Sequence, residues 1–288
     1  VFIDISIRFI QLIRIIPNSG LVQNMTLLVF TDLDGSLMEH ESYSIEAARP
    51  ALNELAARKI PLILNSSKSA AEMTAIQQQL ELRHPFICEN GAALFRPNEE
   101  TIEFATPREL WLQRVHALRD QFSYSFQGFA DWTASEISTL TGLSKTQAEQ
   151  AKDRCYSEPI LWRDSEASLH KFHTQLEAMQ LRLLQGGRFQ SIQGMYDKSD
   201  ALRWMVSKET EQNPESVLHT IALGDSPNDA AMLNASDIAV IIKSGKSNQI
   251  LCPDAGQLIH TKIPGPAGWN EALLEILSLY DAGQLKKA

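Results

Sequence analysis

Asp32 and Asp34 stand one residue apart at the end of an apolar, β-prone run, Leu27-Leu28-Val29-Phe30-Thr31, and Gly35 and Ser36 follow at once. Buried as a central strand, that run would deliver both carboxylates to its C-terminal edge, where open α/β sheets bind ligands. Side chains at i and i+2 of a strand share a face, so the two acids would project together. Like charges held that close are costly unless a cation or a proton-transfer role offsets them. A strand that merely ends in an Asp-Gly turn accounts for the same residues without any chemistry.

A second acidic group, Gly224-Asp225-Ser226-Pro227-Asn228-Asp229, also follows an apolar run, Thr220-Ile221-Ala222-Leu223. Pro227 suits the first turn of a helix. If the two strands end side by side, three or four carboxylates meet, with Asn228 among them. Hard oxygen donors without histidine or cysteine favour Mg2+ over zinc. His84, His116, His170 and His173 show no zinc spacing. Asn65-Ser66-Ser67-Lys68 ends a third apolar run. Hydroxyls and free backbone N–H groups at a helix start suit a phosphate oxygen, and a plain N-cap explains Ser66 or Ser67 equally well. Lys198, within Tyr196-Asp197-Lys198, stands just ahead of a helical stretch and offers the acidic cluster a cation.

The elements that must position these residues alternate. Residues 44–58 read as an amphipathic helix with Ser44 as its cap, 61–64 as a strand, 69–82 as a helix and 85–88 as a strand. That alternation implies parallel βαβ units. From about 98 to 190 the pattern becomes α+β: helical at 107–120, 144–152 and 165–180, strand-like at 159–162 and over 181–193 around Gly186-Gly187. The alternation resumes with a helix at 198–209, a strand at 220–223, a helix near 227–235 and a strand at 238–242. The expected fold is α/β, a Rossmann-like parallel-sheet core over 25–97 and 191–288 with an insert at 98–190.

Composition narrows the partners. The 288 residues are 44% hydrophobic and 21% charged, ordinary for a soluble globular protein, and the formal charge is −9. No basic surplus exists to neutralise nucleic-acid phosphates, so a small molecule is the expected partner. Cys88, Cys155 and Cys252 are scattered and odd in number, reading as reduced thiols in a cytoplasmic protein. Residues 1–24 are rich in isoleucine, but Asp4, Arg8 and Arg14 interrupt them, leaving no span of membrane length and no secretory pattern. They are expected to be an extension outside the fold, which begins near Met25. A monomer or weak homodimer is expected.

The four elements in this order, Asp-x-Asp-Gly-Ser, a strand-end serine, a lysine and Gly-Asp-x-x-Asn-Asp, resemble the haloacid dehalogenase-like phosphohydrolases. Further stretches are similar to the mannosyl-3-phosphoglycerate phosphatases among them: Ser66-Ser67-Lys68-Ser69, Glu89-Asn90-Gly91-Ala92, Tyr156-Ser157-Glu158-Pro159-Ile160, Gly186-Gly187-Arg188-Phe189 and Gly265-Pro266-Ala267-Gly268-Trp269-Asn270. The resemblance implies that Asp32 is a nucleophile and Asp34 a general acid/base. It implies that Ser66 binds phosphate, that Lys198 orients it, and that Mg2+ is held by Asp32, Asp34 through its carbonyl, and Asp225, supported by Asn228 and Asp229. Residues 98–190 match the family's α+β cap, inserted between the second and third motifs. Two departures stand out: Ser36 replaces the commoner threonine but keeps the hydroxyl, and Ser199 follows the lysine where glycine is frequent.

On that reading Asp32 attacks phosphorus and Asp34 protonates the departing oxygen. Ser67, Lys68 and Arg188 are substrate-binding candidates, with Arg188 suited to a carboxylate. Trp132 and Trp162 can stack on a sugar or pack inside the insert. The expected substrate is a small phosphorylated sugar or glycerate, foremost mannosyl-3-phosphoglycerate. A phosphatase or phosphomutase for another sugar phosphate, and a non-catalytic sugar-phosphate-binding regulator, are the alternatives.

Overall fold

The computed structural model describes residues 25–40, 42–186 and 188–285. The extension expected over 1–24 lies outside the described residues, as does Gly187. The chain begins with β1 (Met25–Thr31), α1 (Arg49–Arg58), β2 (Leu62–Asn65), α2 (Ala70–Gln79), β3 (Phe86–Cys88), β4 (Ala93–Phe95) and β5 (Ile102–Glu103). Its middle forms α3 (Leu112–Phe122), β6 (Phe126–Gly128), α4 (Ala134–Thr141), α5 (Lys145–Lys152), β7 (Ser157–Trp162), α6 (Glu166–Ala178), β8 (Leu181–Gln185) and β9 (Gln190–Gly194). It closes with α7 (Lys198–Gln212), β10 (Val217–Gly224), α8 (Ala230–Asn234), β11 (Ile238–Lys243), β12 (Gln257–Pro264) and α9 (Gly265–Asp281).

Two sheets carry these elements. The larger has the order β12-β11-β10-β1-β2-β3-β4-β5 and the smaller β6-β7-β9-β8. Pairing is parallel from β12 to β3, as the βα alternation requires, while β4 and β5 add antiparallel at one edge. The fold is therefore α/β and Rossmann-like. β1 lies where strand order reverses, with β2 on one side and β10 on the other, the switch point at which such sheets bind ligands.

β1 is apolar throughout because both its faces are covered. Leu27 and Val29 pack in a core with Leu55, Met73 and Trp269, and Leu28 and Phe30 in one with Leu202, Met232 and Leu233. Each such side chain contributes about 2 kcal/mol through burial. Trp269 Nε1 donates to Thr31 Oγ1 at 2.9 Å, and that hydroxyl donates to the Asp32 carbonyl at 2.7 Å. Asn270 Oδ1 accepts from the Ala51 N–H at 2.9 Å. The Gly268-Trp269-Asn270 stretch thus buttresses the end of β1 from behind.

The local readings hold where a cap marks the start. Ser69, Ser144 and Ser165 each accept a backbone N–H as N-caps of α2, α5 and α6. The helix expected from Ser44 instead begins at Arg49, with Pro50 in its first turn and no side-chain cap. Proline fits the first turn because its missing N–H would have no partner there. Helix α4, capped by Thr133 with Glu136 in a capping box, was not anticipated. Its Ser and Thr content hid it, since those residues compete for backbone hydrogen bonds outside helices. β5 still pairs with β4, so the change of sequence pattern near 98 precedes the end of the larger sheet. Cys88, Cys155 and Cys252 form no disulfide. Among the described residues no helix is long and apolar enough to cross a membrane.

Candidate active site

Strand register places the site. Thr31 stands opposite Leu223 of β10 and Leu64 of β2, so Asp32 emerges between Gly224-Asp225 on one side and Asn65-Ser66 on the other. The Asp32 N–H donates to the Leu223 carbonyl at 2.9 Å, a last bond along the β1–β10 seam. The chain then turns: Gly35 takes φ +84 and its N–H donates to the Met38 carbonyl at 2.7 Å. The shared strand face expected for Asp32 and Asp34 is therefore not formed. β1 ends before either residue, and the two carboxylates meet different cations.

Asp32 meets Lys198. The ammonium, 0% exposed, donates to Asp32 Oδ1 at 2.6 Å and to Asp229 Oδ1 at 2.7 Å. Lys198 is placed by its own local structure. Asp197 caps α7, accepting from the Ser199 N–H at 2.8 Å, and Asn65 Nδ2 donates to the Lys198 carbonyl at 2.8 Å. Gly91, at φ +100, lets this backbone come close: a Cβ there would stand 1.9 Å from the Asp197 carbonyl oxygen. Gly91→Ala is expected to cost more than about 2 kcal/mol through strain and displacement. Activity should fall with it, read by thermal unfolding and turnover together.

Asp32, Asp225 and Asp229 are all buried, and each offers an oxygen within 4.8 Å of the others. Both Asp229 oxygens are engaged, Oδ1 by Lys198 and Oδ2 by the N–H groups of Asp225 and Ser226 at 3.0 Å each. Asp32 and Asp225 are thus the carboxylates best able to accept a cation. Asp32 is pushed up to about 8: burial raises it most, Lys198 pulls it down, and Asp229, Asp225 and Asp34 also raise it. Burial also works against the Lys198 ammonium, yet Asp229 and Asp32 hold it charged above the ordinary lysine range. Fully ionised, the three carboxylates would carry more negative charge than one ammonium offsets. Hard oxygens, burial and surplus charge together fit a divalent cation of the Mg2+ type.

A testable pH dependence follows. A carboxyl raised on folding favours the fold while protonated, and that contribution is lost as pH rises from the ordinary carboxylate range toward 8. Cation-free protein should accordingly lose thermal stability over this window, and Mg2+ should restore more of it at pH 8 than at pH 6. Proton and cation compete for Asp32, so apparent Mg2+ affinity should improve by up to about tenfold for each unit that pH rises toward 8. Titration calorimetry checks the slope.

Asp34 meets Lys68, whose Nζ lies 2.7 Å from Oδ2 and 5.4 Å from the Tyr43 ring centre. Asp34 Oδ1 is buried and has no hydrogen-bond partner among the described residues. The carboxylate of Asp34 is not part of the Asp32–Asp225–Asp229 cluster. Ser69, not Ser66 or Ser67, caps α2, which leaves the Ser66 hydroxyl to accept only the Lys68 N–H, at 3.3 Å, among the described residues. Asn228 Nδ2 donates to Asn90 Oδ1 at 3.3 Å, and Asn90 Nδ2 donates to Gln193 Oε1 at 3.1 Å. The loop after β10 is thereby linked to β9 of the smaller sheet.

Arg188 is not brought to this cluster. It is exposed and donates to the Leu140 carbonyl. Trp132 packs with Phe129 and Phe189, and Trp162 stacks on Phe126 and Phe172, so both serve the packing of their own unit. Sequence reasoning missed His40, whose Nε2 lies 3.6 Å from Asp225 Oδ2; that carboxylate raises the imidazole above its usual value. It also gave no role to Glu89, Asn90, Arg154 or Gln193. For Glu89 and Asn90 the signal was the family resemblance, through the stretch Glu89-Asn90-Gly91-Ala92. A cavity of about 670 Å³ opens elsewhere, beside Trp111, Met195, Tyr196 and Trp204, and includes none of the acidic cluster.

The sequence profile of the haloacid dehalogenase-like hydrolases matches residues 29–182. A glucosyl-3-phosphoglycerate/mannosyl-3-phosphoglycerate phosphatase of Methanococcoides burtonii is 35% identical over 268 residues, spanning 88% of this chain and 98% of that protein. One of the same name from Persephonella marina is 34% identical, spanning 89% and 99%. A solved phosphatase of the haloalkanoate superfamily from Bacteroides thetaiotaomicron superposes with a TM-score of 0.62 at 17% identity, covering 93% of this chain and all of that one. That last likeness is one of fold.

Proposed function

The chain belongs to the haloacid dehalogenase-like hydrolases, and on that premise we propose that it is a Mg2+-dependent phosphomonoesterase acting through an aspartyl-phosphate. The observation that carries this reading is the fully buried Lys198, held between Asp32 and Asp229 at the sheet's switch point with Asp225 alongside. Its substrate is a small phosphorylated sugar or glycerate. The names of the relatives support mannosyl-3-phosphoglycerate, or its glucosyl counterpart, cleaved to the hexosylglycerate and phosphate.

The chain's own groups divide the work. Asp32 attacks phosphorus through the oxygen that Lys198 does not hold, forming a new P–O bond as the bond to the glycerate oxygen breaks. Asp34 gives its proton to that departing oxygen, then takes one from the water that attacks the aspartyl-phosphate and frees phosphate. Lys198 and the Ser66 hydroxyl hold phosphate oxygens in line with Asp32. Asp32, Asp225 and the Asp34 carbonyl would hold Mg2+, which would supply charge neutralisation at the phosphoryl group. Asn228 and Asp229 support that arrangement from behind.

Lys68 is paired with Asp34 at the end of β2, beside the acidic cluster. An acidic substrate that draws this ammonium away would leave Asp34 free to serve the leaving oxygen. Lys68 is therefore a better partner for the glycerate carboxylate than Arg188, which would first have to leave Leu140. Residues 98–190 are assigned to choosing the substrate and the remainder to the chemistry. Assaying phosphate release from a panel of phosphorylated sugars and glycerates with Mg2+ tests the proposal. Fastest release from a hexosyl-3-phosphoglycerate is expected. An isomerised sugar phosphate without free phosphate would favour a mutase, and no release from any monoester would overturn the reading.

A further inference from the structure

We propose that Glu89 and Arg154 are positioning residues that tie the seating of the smaller sheet on the larger one to the shape of the Ser66–Lys68 loop. The proposal rests on the phosphatase reading, in which that loop holds phosphate. Glu89 directly follows β3 and adopts φ +47, a left-handed conformation, with its side chain toward Ser157 of β7 in the smaller sheet. The carboxylate is buried, with the residue 1% exposed, and four donors converge on it. They are the backbone N–H groups of Cys155 (2.9 Å), Tyr156 (3.1 Å) and Ser157 (2.8 Å) and the Ser157 hydroxyl (2.6 Å). Three consecutive N–H groups around one anion form a nest that compensates its desolvation.

Arg154 immediately precedes that nest and reaches the other way. Both of its terminal nitrogens donate to the Ser67 carbonyl at 3.1 Å, and Nη1 also donates to Ser157 Oγ at 2.9 Å. Its Nε donates to the Ala151 carbonyl at 3.1 Å, and Glu72 and Glu89 lie at 3.8 and 3.9 Å. The segment 154–157 therefore receives an anion from the loop after β3 and returns a cation to the loop after β2. Fixing the Ser67 carbonyl fixes the following peptide, whose Lys68 N–H donates to Ser66 Oγ at 3.3 Å. The Ser66 hydroxyl and the Lys68 ammonium thus take their aim from whether 154–157 is in place. Neither Glu89 nor Arg154 touches the reacting atoms; they act through Ser66 and Lys68.

A double-mutant cycle tests this. Arg154→Ala is expected to lower kcat/KM by about tenfold or more, chiefly through KM, in the wild-type background. In a Ser66→Ala background the same change should cost less than about threefold, because the group it positions is already gone. Arg154→Lys, which folds more readily, should show the same pattern at reduced size, since an ammonium cannot place two parallel donors on one carbonyl. Equal losses in the two backgrounds would overturn the proposal. Glu89→Gln supplies a readout that does not depend on activity. Amide hydrogen exchange should accelerate at 155–157 and also at 66–69, after β2 of the larger sheet. Acceleration confined to 155–157 would equally overturn it. If the wild-type protein releases no phosphate from any monoester, the functional reading falls, and the exchange pattern alone decides whether the two loops are coupled.

Discussion

Asp32→Asn will stop phosphate release while leaving the fold intact. The amide keeps the shape of the side chain but cannot attack phosphorus, and loss of a nucleophile should lower kcat by at least about a thousandfold. No aspartyl-phosphate should then be trapped by rapid acid quench and mass spectrometry. The control lies in the electrostatics. Burial and the neighbouring acids together hold Asp32 up at about 8 despite Lys198, so in cation-free protein near neutral pH the neutral form costs nothing extra. The variant should melt no lower than wild type without Mg2+ and should gain less when Mg2+ is added. Activity above a tenth of wild type would remove Asp32 from the nucleophile's role.

Lys198→Met should damage both stability and activity. The ammonium is fully buried and is the partner of Asp32 Oδ1 and Asp229 Oδ1. Removing it takes the one cation from Asp229 and Asp32 in a desolvated site, a loss of about 3–5 kcal/mol. For a chain of this size that amounts to a fall in Tm of roughly 5–8 °C. Turnover should fall by at least about a hundredfold, because the phosphate loses its fixed cation. Adding Asp229→Asn to Lys198→Met separates the two effects. The double variant removes one stranded charge and should regain thermal stability, while turnover stays lost. Recovery of turnover along with stability would mean that Lys198 serves only the fold.

The chemistry in this chain was legible where it is local. Asp32, Ser66 and Asp225 each follow an apolar strand, and parallel pairing sends every such strand end to one edge, so an ordered reading of strand ends assembles the site. Lys198 was legible only as a cation wanted by that cluster; its burial comes from Gly91 and Asn65, which no sequence pattern links to it. The separation of Asp34 from Asp32 escaped because the strand stops at Thr31 and a turn follows. Glu89 escaped for a different reason. Glutamate is an ordinary surface residue, and its role depends on a backbone conformation and on donors found 66–68 residues further along. Arg188 was chosen for its chemistry and its neighbouring glycines, but the hairpin that holds it faces Leu140. Side-chain type can nominate a ligand, while only the fold decides which side of a sheet it serves.

The pairing of β1 with β10 also bears on how the molecule is made. Thr26 and Ser216, hydrogen-bonded at 2.7 Å across these strands, are 190 residues apart. At about 5–20 residues per second, a ribosome needs roughly 10–40 s to deliver the second strand after the first. Through that interval Leu27-Leu28-Val29-Phe30 is an apolar ribbon with one flank open, the kind of edge that recruits other chains. The strand that leads to Asp32, the proposed nucleophile, is therefore exposed to aggregation during synthesis, and its partner β10 comes only with the last third of the chain.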